Sequence, residues 1–341
     1  MGVGSGTALG WGTLLGFGEE TTWGTKITAT NFMEFSSESL KKTIEEEKLE
    51  SLGTGRSFAR RVQKEVGVEG SISYNLHPVD GIKLLKHALM GTVTSAVIGA
   101  TVGYNHTFSA SDMSSITQKG LSFEVRPDKD TTTAFYFTGC RVNEFKISGE
   151  IGKPIAAEVS LIGKDATTGA FATTTAAYSP ANPFMFNHVT FQFDGTIASM
   201  TSTSVENIVS FELSINNNLQ SDENARSLGT DLLTALPPGR RDISLSVVQR
   251  YDTTTAFDRF RQGSQGAVRL KFDTGQTIGS ALTTYSMFID LPKVYYKSVE
   301  TEIGGAEIIT HNVEFSPIGD TTTSSGNDIT VSVTNSVTTY A

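Results

Sequence analysis

Apolar and polar residues alternate with a period of two through most of the chain. The pattern runs at Val66, Val68, Gly70, Ile72, Tyr74 and Leu76, and again at Leu121, Phe123 and Val125, as half-buried strands require. From Val142 to Ile162 it predicts a hairpin with its turn near Gly152-Lys153-Pro154. A second hairpin is expected from Val294 to Phe315 around Gly304-Gly305. The first periodic strand is expected to begin at Phe32 and to pass Phe35 towards Leu40. The helical period appears at Asp80 to Met90, where Asp80 is a good N-cap, Ile82, Leu85 and Leu89 share a face, and Gly91 ends the element. A second short helix is expected at Thr254 to Gln262, with Ala256, Phe257 and Phe260 as its apolar side and Gly263 closing it.

These two helices belong to a longer repetition. The stretch Leu49 to Gly91 is a polar, Gly-containing loop, then a strand, then a helix, and a degenerate copy runs from Arg226 to Gly263. Ser51-Leu52-Gly53-Thr54 is matched by Ser227-Leu228-Gly229-Thr230, Ser71-Ile72-Ser73 by Ser244-Leu245-Ser246, and Gly91 by Gly263, in the same order and at a nearly constant spacing. Glu150-Ile151-Gly152 is likewise echoed by Glu302-Ile303-Gly304. The expectation is a mainly β chain of two duplicated β-sandwich domains, each with one short flanking helix. Residues 1–30 read as a flexible, Gly-rich N-terminal arm, 31–165 as the first domain, and 166–182, rich in Thr, Ala and Pro, as a linker. Residues 183–320 then form the second domain, opening with Phe186, Val189, Phe191 and Phe193 as its apolar positions. Residues 321–341 are a tail whose run ITVSVT can pair as a late strand.

One connection stands out. Lys41 to Lys64 is polar and long, with acids at Glu45, Glu46 and Glu47, bases at Arg56, Arg60, Arg61 and Lys64, and glycines at Gly53 and Gly55 that interrupt any long helix. It reads either as a solvated loop or as a loop that orders against another subunit. In the second case Ile44, Leu49, Leu52 and Phe58 supply apolar anchors, while Glu45, Glu46, Glu47, Arg60 and Arg61 set register.

Composition narrows the function. A chain of 341 residues with 38% hydrophobic and 18% charged residues is an ordinary globular protein, and it has no apolar run of the roughly 18 residues that span a membrane. The opening MGVGSGTALGWGTLLGFGEE lacks the pattern of a secretory signal. The single Cys140 excludes an internal disulfide framework and lies in an apolar run as a small buried residue. A net charge of -9 disfavours sustained DNA binding, though not passage of DNA past an acidic surface. The histidines His77, His87, His106, His188 and His311 stand singly, without metal-ligand spacings, and no phosphate-binding glycine loop or nucleophile elbow is present. No catalytic residue, metal site or cofactor is therefore expected.

The order of several segments over both halves resembles a known family. GEETTWGT at Gly18 to Thr25, SESLKKTIEEEKLESL, RSFARRVQKEVGVEGSISYNL with its following helix, and VSFELSINNNL at Val209 to Leu219 look like the tail tube proteins of long-tailed bacteriophages. The resemblance implies a structural virion protein, not an enzyme. It implies homotrimeric rings of pseudo-sixfold symmetry whose strands share a β-barrel, stacked into a hollow tube through which DNA is ejected without specific binding. The implied partners are further copies of the chain and the tape measure, tail terminator and tail-tip proteins. The implied location is the virion tail, reached from the host cytoplasm during assembly. A carbohydrate-binding or adhesive β-sandwich is the alternative. It is weakened because Trp11 and Trp23 both fall in the N-terminal stretch, leaving no tryptophan in the body for a sugar platform. A hydrolase is a second alternative, and needs a cleft with perturbed carboxylates.

Overall fold

Alternating burial marks most of the long strands, and antiparallel strands make up more than half of the described residues. The structure, a computed structural model, describes residues 10–50, 56–58, 60–98, 102–110, 119–128, 133–171, 176–279, 283–303, 308–319 and 328–340. In the first half the elements are β1 (Leu14–Glu19), β2 (Asn31–Met33), β3 (Ser37–Glu38), β4 (Lys41–Leu49), β5 (Arg60–Asn75), α1 (Ile82–Leu89), β6 (Thr92–Val97), β7 (Tyr104–Ser109), β8 (Leu121–Arg126), β9 (Thr133–Glu150), β10 (Ala156–Gly163) and β11 (Asp165–Ala170). In the second half they are β12 (Val189–Asp194), β13 (Val205–Glu206), β14 (Ile208–Asn216), β15 (Asp242–Arg250), α2 (Thr255–Arg261), β16 (Gln265–Thr277), β17 (Thr284–Glu302), β18 (Thr310–Pro317) and β19 (Thr330–Asn335).

The same pairing order recurs in the two halves. In the first, β1 pairs with β8, β8 with β9, β9 with β10, β10 with β5, and β5 with β3 and β4. In the second, β12 pairs with β16, β16 with β17, β17 with β18, β18 with β15, and β15 with β14. The strand that follows each hairpin returns to the first part of its long strand, β11 to β9 and β19 to β17. Each long strand thus pairs with different neighbours along its two parts. In β9 the change falls at Gly139, whose φ of 67° suits a residue without Cβ, and whose N–H is taken by the buried carboxylate of Glu20 at 2.7 Å. Two strands join the halves directly: β14 pairs with the later part of β9, and β19 pairs with β7. One apolar core accordingly runs through both halves, from Phe17, Phe123 and Leu161 to Phe191, Leu270 and Phe315.

Both helices lie where the periodicity puts them, within two residues at each end. Asp80 is not the N-cap, however. Gly81 holds that position in the left-handed region with φ 77°, and the Asp80 carboxylate accepts from the Ser179 N–H at 2.9 Å instead. Gly91 is required by a close approach, since a Cβ there would lie 1.6 Å from the Ser109 carbonyl oxygen.

Four further expectations change. Residues 1–30 are not simply an arm, because β1 lies inside the fold with Leu15 and Phe17 buried. Its intervening glycines are close-approach positions: a Cβ at Gly16 would meet the Ala29 methyl at 2.7 Å and the Phe32 ring at 2.9 Å. The 166–182 linker begins as a paired strand, since β11 continues to Ala170, where its small residues lie against β9. The 321–341 tail is sewn in, with Val331 and Val333 of β19 fully buried between β17 and β7. The Lys41 to Lys64 connection is a hairpin, β4 paired with the first part of β5, and not a loop. Cross-strand pairing holds it without burial, which is why no period-two signal marks it.

Candidate assembly surface

One sheet runs across the whole molecule in the order β4, β5, β10, the later part of β9, β14, β15, β18 and the later part of β17. Its inner face is core, carrying Ile72, Val159, Phe145, Leu213, Leu245 and Phe315. The opposite face follows from the pleat and carries Ser71, Ser73, Glu158, Ser160, Glu144, Lys146, Ser148, Glu212, Ser214, Ser244, Ser246 and Glu314, half-buried or exposed. Short hydroxyls and carboxylates dominate this face.

The joint between β9 and β14 is a built interface between the halves, with Leu213 opposite Ile147 and Glu212 opposite Ser148. Asn217 locks its outer side. This buried side chain donates from Nδ2 to the carbonyls of Ala88 at 2.9 Å and Val142 at 3.0 Å, so it caps α1 and ties β9 at once. Leu219 packs with Met90, Leu233 and Leu236 beyond the helix end. Arg241 forms a two-pronged pair with Asp328 at 2.8 and 2.9 Å, which fastens β15 to the segment leading into β19.

Two edges of this sheet are left open. Among the described residues, no strand pairs with the outer side of β3 and β4, nor with the outer side of β17 over Tyr296 to Glu302. These edges are equivalent to the two strands of the joint. Ser37 stands opposite Ser73 as Glu212 stands opposite Ser246, and Glu300 stands opposite Asn312 as Ser148 stands opposite Ala156. The chain ends, in sheet terms, with one unpaired copy of each half of its own joint. Open edges of this kind are templates for pairing with another chain.

From one edge projects the arm formed by β4 and the start of β5. Ile44, Glu45, Glu46, Glu47 and Leu49 lie on β4, opposite Val66, Glu65, Gln63, Val62 and Arg60. Phe58 lies just ahead of β5, which Arg60 and Arg61 begin; Leu52 lies outside the described residues. Ile44 (48% exposed), Leu49, Phe58 (57%) and Val62 are solvent-facing apolar groups. The charges do not reach out as two separate ends, because Arg61 pairs with Glu46 at 2.9 Å across the arm and Lys48 lies 6.0 Å from the Phe58 ring. The arm base is braced by the second half: Val66 N–H donates to Asp231 O, Gln63 bonds the Asp231 carboxylate at 2.7 Å, and Arg226 pairs with Glu65 at 3.0 Å. The bracing loop is the second-half counterpart of the arm itself, and its tip carries the fully exposed Leu228 next to Gly229.

Among the described residues no group of His, Cys, Asp or Glu is arranged to hold a metal ion. The histidines make local hydrogen bonds: His77 Nδ1 accepts from the N–H groups of Val79 and Asp80, His188 Nδ1 accepts from Met185, and His106 meets Asn335 and the Val337 carbonyl. The Cys140 thiol is fully buried and its pKa is pushed up by burial, the opposite of a reactive thiol. Glu19, beside His87, Lys86 and Lys83, is held well below the ordinary carboxylate range against its desolvation, and anchors β1 to α1. A cleft of about 310 Å³ beneath α2 contains Glu206, whose carboxylate is engaged by Arg259 at 2.9 Å and by Gln249. Trp23 is used inside the fold, donating from Nε1 to Gly139 O at 3.0 Å with Lys164 over its ring, and offers no sugar platform.

Sequence reasoning missed the exposed Val62, Leu228, Phe257 and Phe260. Leu228 was marked by its Ser-Leu-Gly-Thr repeat. The two phenylalanines form the apolar side of their helix in the sequence, and periodicity defines such a face without saying what covers it.

A family model described as phage tail tube protein matches residues 10–317. Among solved structures, the SPP1 tail tube, determined by solid-state NMR and cryo-EM, is similar at 14% identity, covering 46% of this chain and 82% of that one, with a TM-score of 0.31. No curated protein matches.

Proposed function

The chain belongs to the phage tail tube protein family, and from that premise we propose that copies close into a ring by repeating between molecules the joint that β9 and β14 make within one. Its role is structural: it is a virion tail protein that self-assembles into the stacked rings of the tube. The observation that carries the ring geometry is the pair of open edges. The β17 edge of one copy meets the β3 and β4 edge of the next, with Glu300 opposite Ser37 and Val299 opposite Glu38, as Ser148 meets Glu212 and Ile147 meets Leu213 within the chain. Three chains of two halves each then make a pseudo-sixfold barrel without free edges.

The serine and glutamate face becomes the wall of the lumen. Short hydroxyls leave room, and carboxylates repel a phosphate backbone, so DNA passes without being held. The arm reaches a neighbouring subunit or ring through Ile44, Leu49, Leu52 and Phe58. Tape measure, tail terminator and tail-tip proteins meet the tube along its lumen and at its ends, and the rings assemble in the host cytoplasm.

Electron microscopy of the purified protein at rising concentration tests this reading. Rings of threefold symmetry with a sixfold appearance in projection, stacking into hollow tubes, are expected. A protein that stays monomeric at high concentration, or forms solid fibres without a lumen, contradicts it.

A further inference from the structure

The helices α1 and α2 occupy the same place in the repeated strand order, yet their surroundings differ. In α1, Ile82, Leu84, Leu85, Ala88 and Leu89 are buried, whereas α2 buries no residue and exposes Phe257 by 49% and Phe260 by 38%. The Gly91 and Gly263 correspondence sets Leu85 and Ala88 at the places of Phe257 and Phe260. The second half covers the end of α1: Asn217 bonds the Ala88 carbonyl and Leu219 packs on Met90. Among the described residues α2 packs mainly on β17, without a counterpart of the contacts that α1 makes with β7 of its own half and with β14 of the other.

Extending the register of the joint locates it. Ile215 and Leu40 take equivalent places, opposite Ile243 and in line with Gly70, so two and four residues further on Asn217 corresponds to Lys42 and Leu219 to Ile44. Ile44 is itself an apolar side chain left 48% exposed on a strand edge. Two uncovered apolar surfaces therefore lie at the two ends of one sheet, at places whose counterparts pack together inside the molecule.

We propose that the Phe257 and Phe260 face of α2 is a seat for the base of the neighbouring copy's arm, with Ile44 packing at the α2 end as Leu219 packs at the α1 end. The occupant is a second copy of this chain in the same ring. The proposal rests on the ring reading above and adds a second contact layer outside the shared sheet, made by side chains instead of backbone pairing. It also gives the arm base a function distinct from that of its tip.

The test compares wild type, Phe257→Ser with Phe260→Ser, Ile44→Ser, and the combined variant by sedimentation and electron microscopy. All substituted groups are solvent-facing in the subunit, so monomer melting temperatures are expected to stay close to wild type. The phenylalanine pair and Ile44→Ser are each expected to raise the concentration needed for ring formation at least tenfold. The combined variant is expected to be no worse than the phenylalanine pair, because both remove one contact. Unchanged ring formation by the phenylalanine variant, or strictly additive losses, overturns the seat while leaving the ring reading intact. Rings that form normally but fail to stack assign the face to the next ring and also overturn it. Failure of the wild type to form rings removes the ring reading itself.

Discussion

Replacing Phe58 and Leu52 by serine is expected to abolish tube formation while the subunit stays folded, and neutralising Arg60 and Arg61 to have a much smaller effect. Phe58 is 57% exposed just beyond an arm whose strands bond only to each other along most of their length, so no core contact is lost when it is changed. Burying a Phe and a Leu against a neighbour stabilises by about 1.5 to 3 kcal/mol each, and a ring multiplies that over its arms. The arginines have less to give. Arg61 already pairs with Glu46 at 2.9 Å with both groups in water, a contact of about 0 to 1 kcal/mol that serves the arm itself. Microscopy and hydrogen exchange read the outcome: arm amides gain protection in wild-type tubes, and the serine variant shows neither tubes nor that gain. Normal tubes from the serine variant, or equal arm protection in monomers and tubes, contradict the role assigned to the arm.

Tubes carrying Glu158→Lys and Glu212→Lys are expected to assemble but to hold DNA. Both carboxylates are exposed on the polar face of the sheet, opposite Ser73 and Lys146 and opposite Ser148 and Ser246, so neither supports the core. Surface changes of this kind shift stability by about 0.5 kcal/mol or less. Their electrostatic effect is large, because the two reversals change every subunit from two negative charges to two positive ones in a confined channel. Each phosphate neutralised contributes a slope of about -0.9 to the logarithmic dependence of DNA affinity on salt. DNA capture by the variant tubes is therefore expected at 50 mM salt and lost by roughly 200 mM, with none by wild type. Sub-micromolar, salt-sensitive binding by wild-type tubes contradicts the lumen assignment.

How much of this was legible from the residues depends on what held each element in place. Strands with one face in the core announced themselves: the hairpin strands before and after Gly152 show period two because Phe145 and Val159 alternate with half-buried or exposed polar groups, and the late strand shows it where Val331 and Val333 flank the half-buried Ser332. The β1 strand was hidden because Gly16 and Gly18 occupy the positions between its core residues, where packing against Ala29, Phe32 and Ile27 leaves no room for a side chain. The arm was hidden for the opposite reason, since neither face of β4 is buried and its stability comes from pairing with β5. The nine residues singled out in the sequence fall on a polar stretch in which Ile44, Leu49 and Phe58 are exposed, with Leu52 outside the described residues. Its form as a hairpin depends on cross-strand pairing that no local pattern reveals. The joint of β9 with β14 links residues some 60 to 70 positions apart, and the open edges become meaningful only once that joint is seen.

Ring closure through the two open edges is tested most directly by a cysteine at each. Ser37→Cys and Glu300→Cys, in one chain, place thiols opposite each other between copies, where directly opposed Cβ atoms lie about 4.5 to 5.5 Å apart and need only a small approach to form a disulfide. Cys140 is fully buried and does not compete. Oxidation of assembled rings is expected to convert the monomer into covalent dimers and then a closed three-chain species, with either single variant giving none and the dilute monomer remaining uncrosslinked. Rings that assemble from the double variant yet stay monomeric on a non-reducing gel would contradict the account.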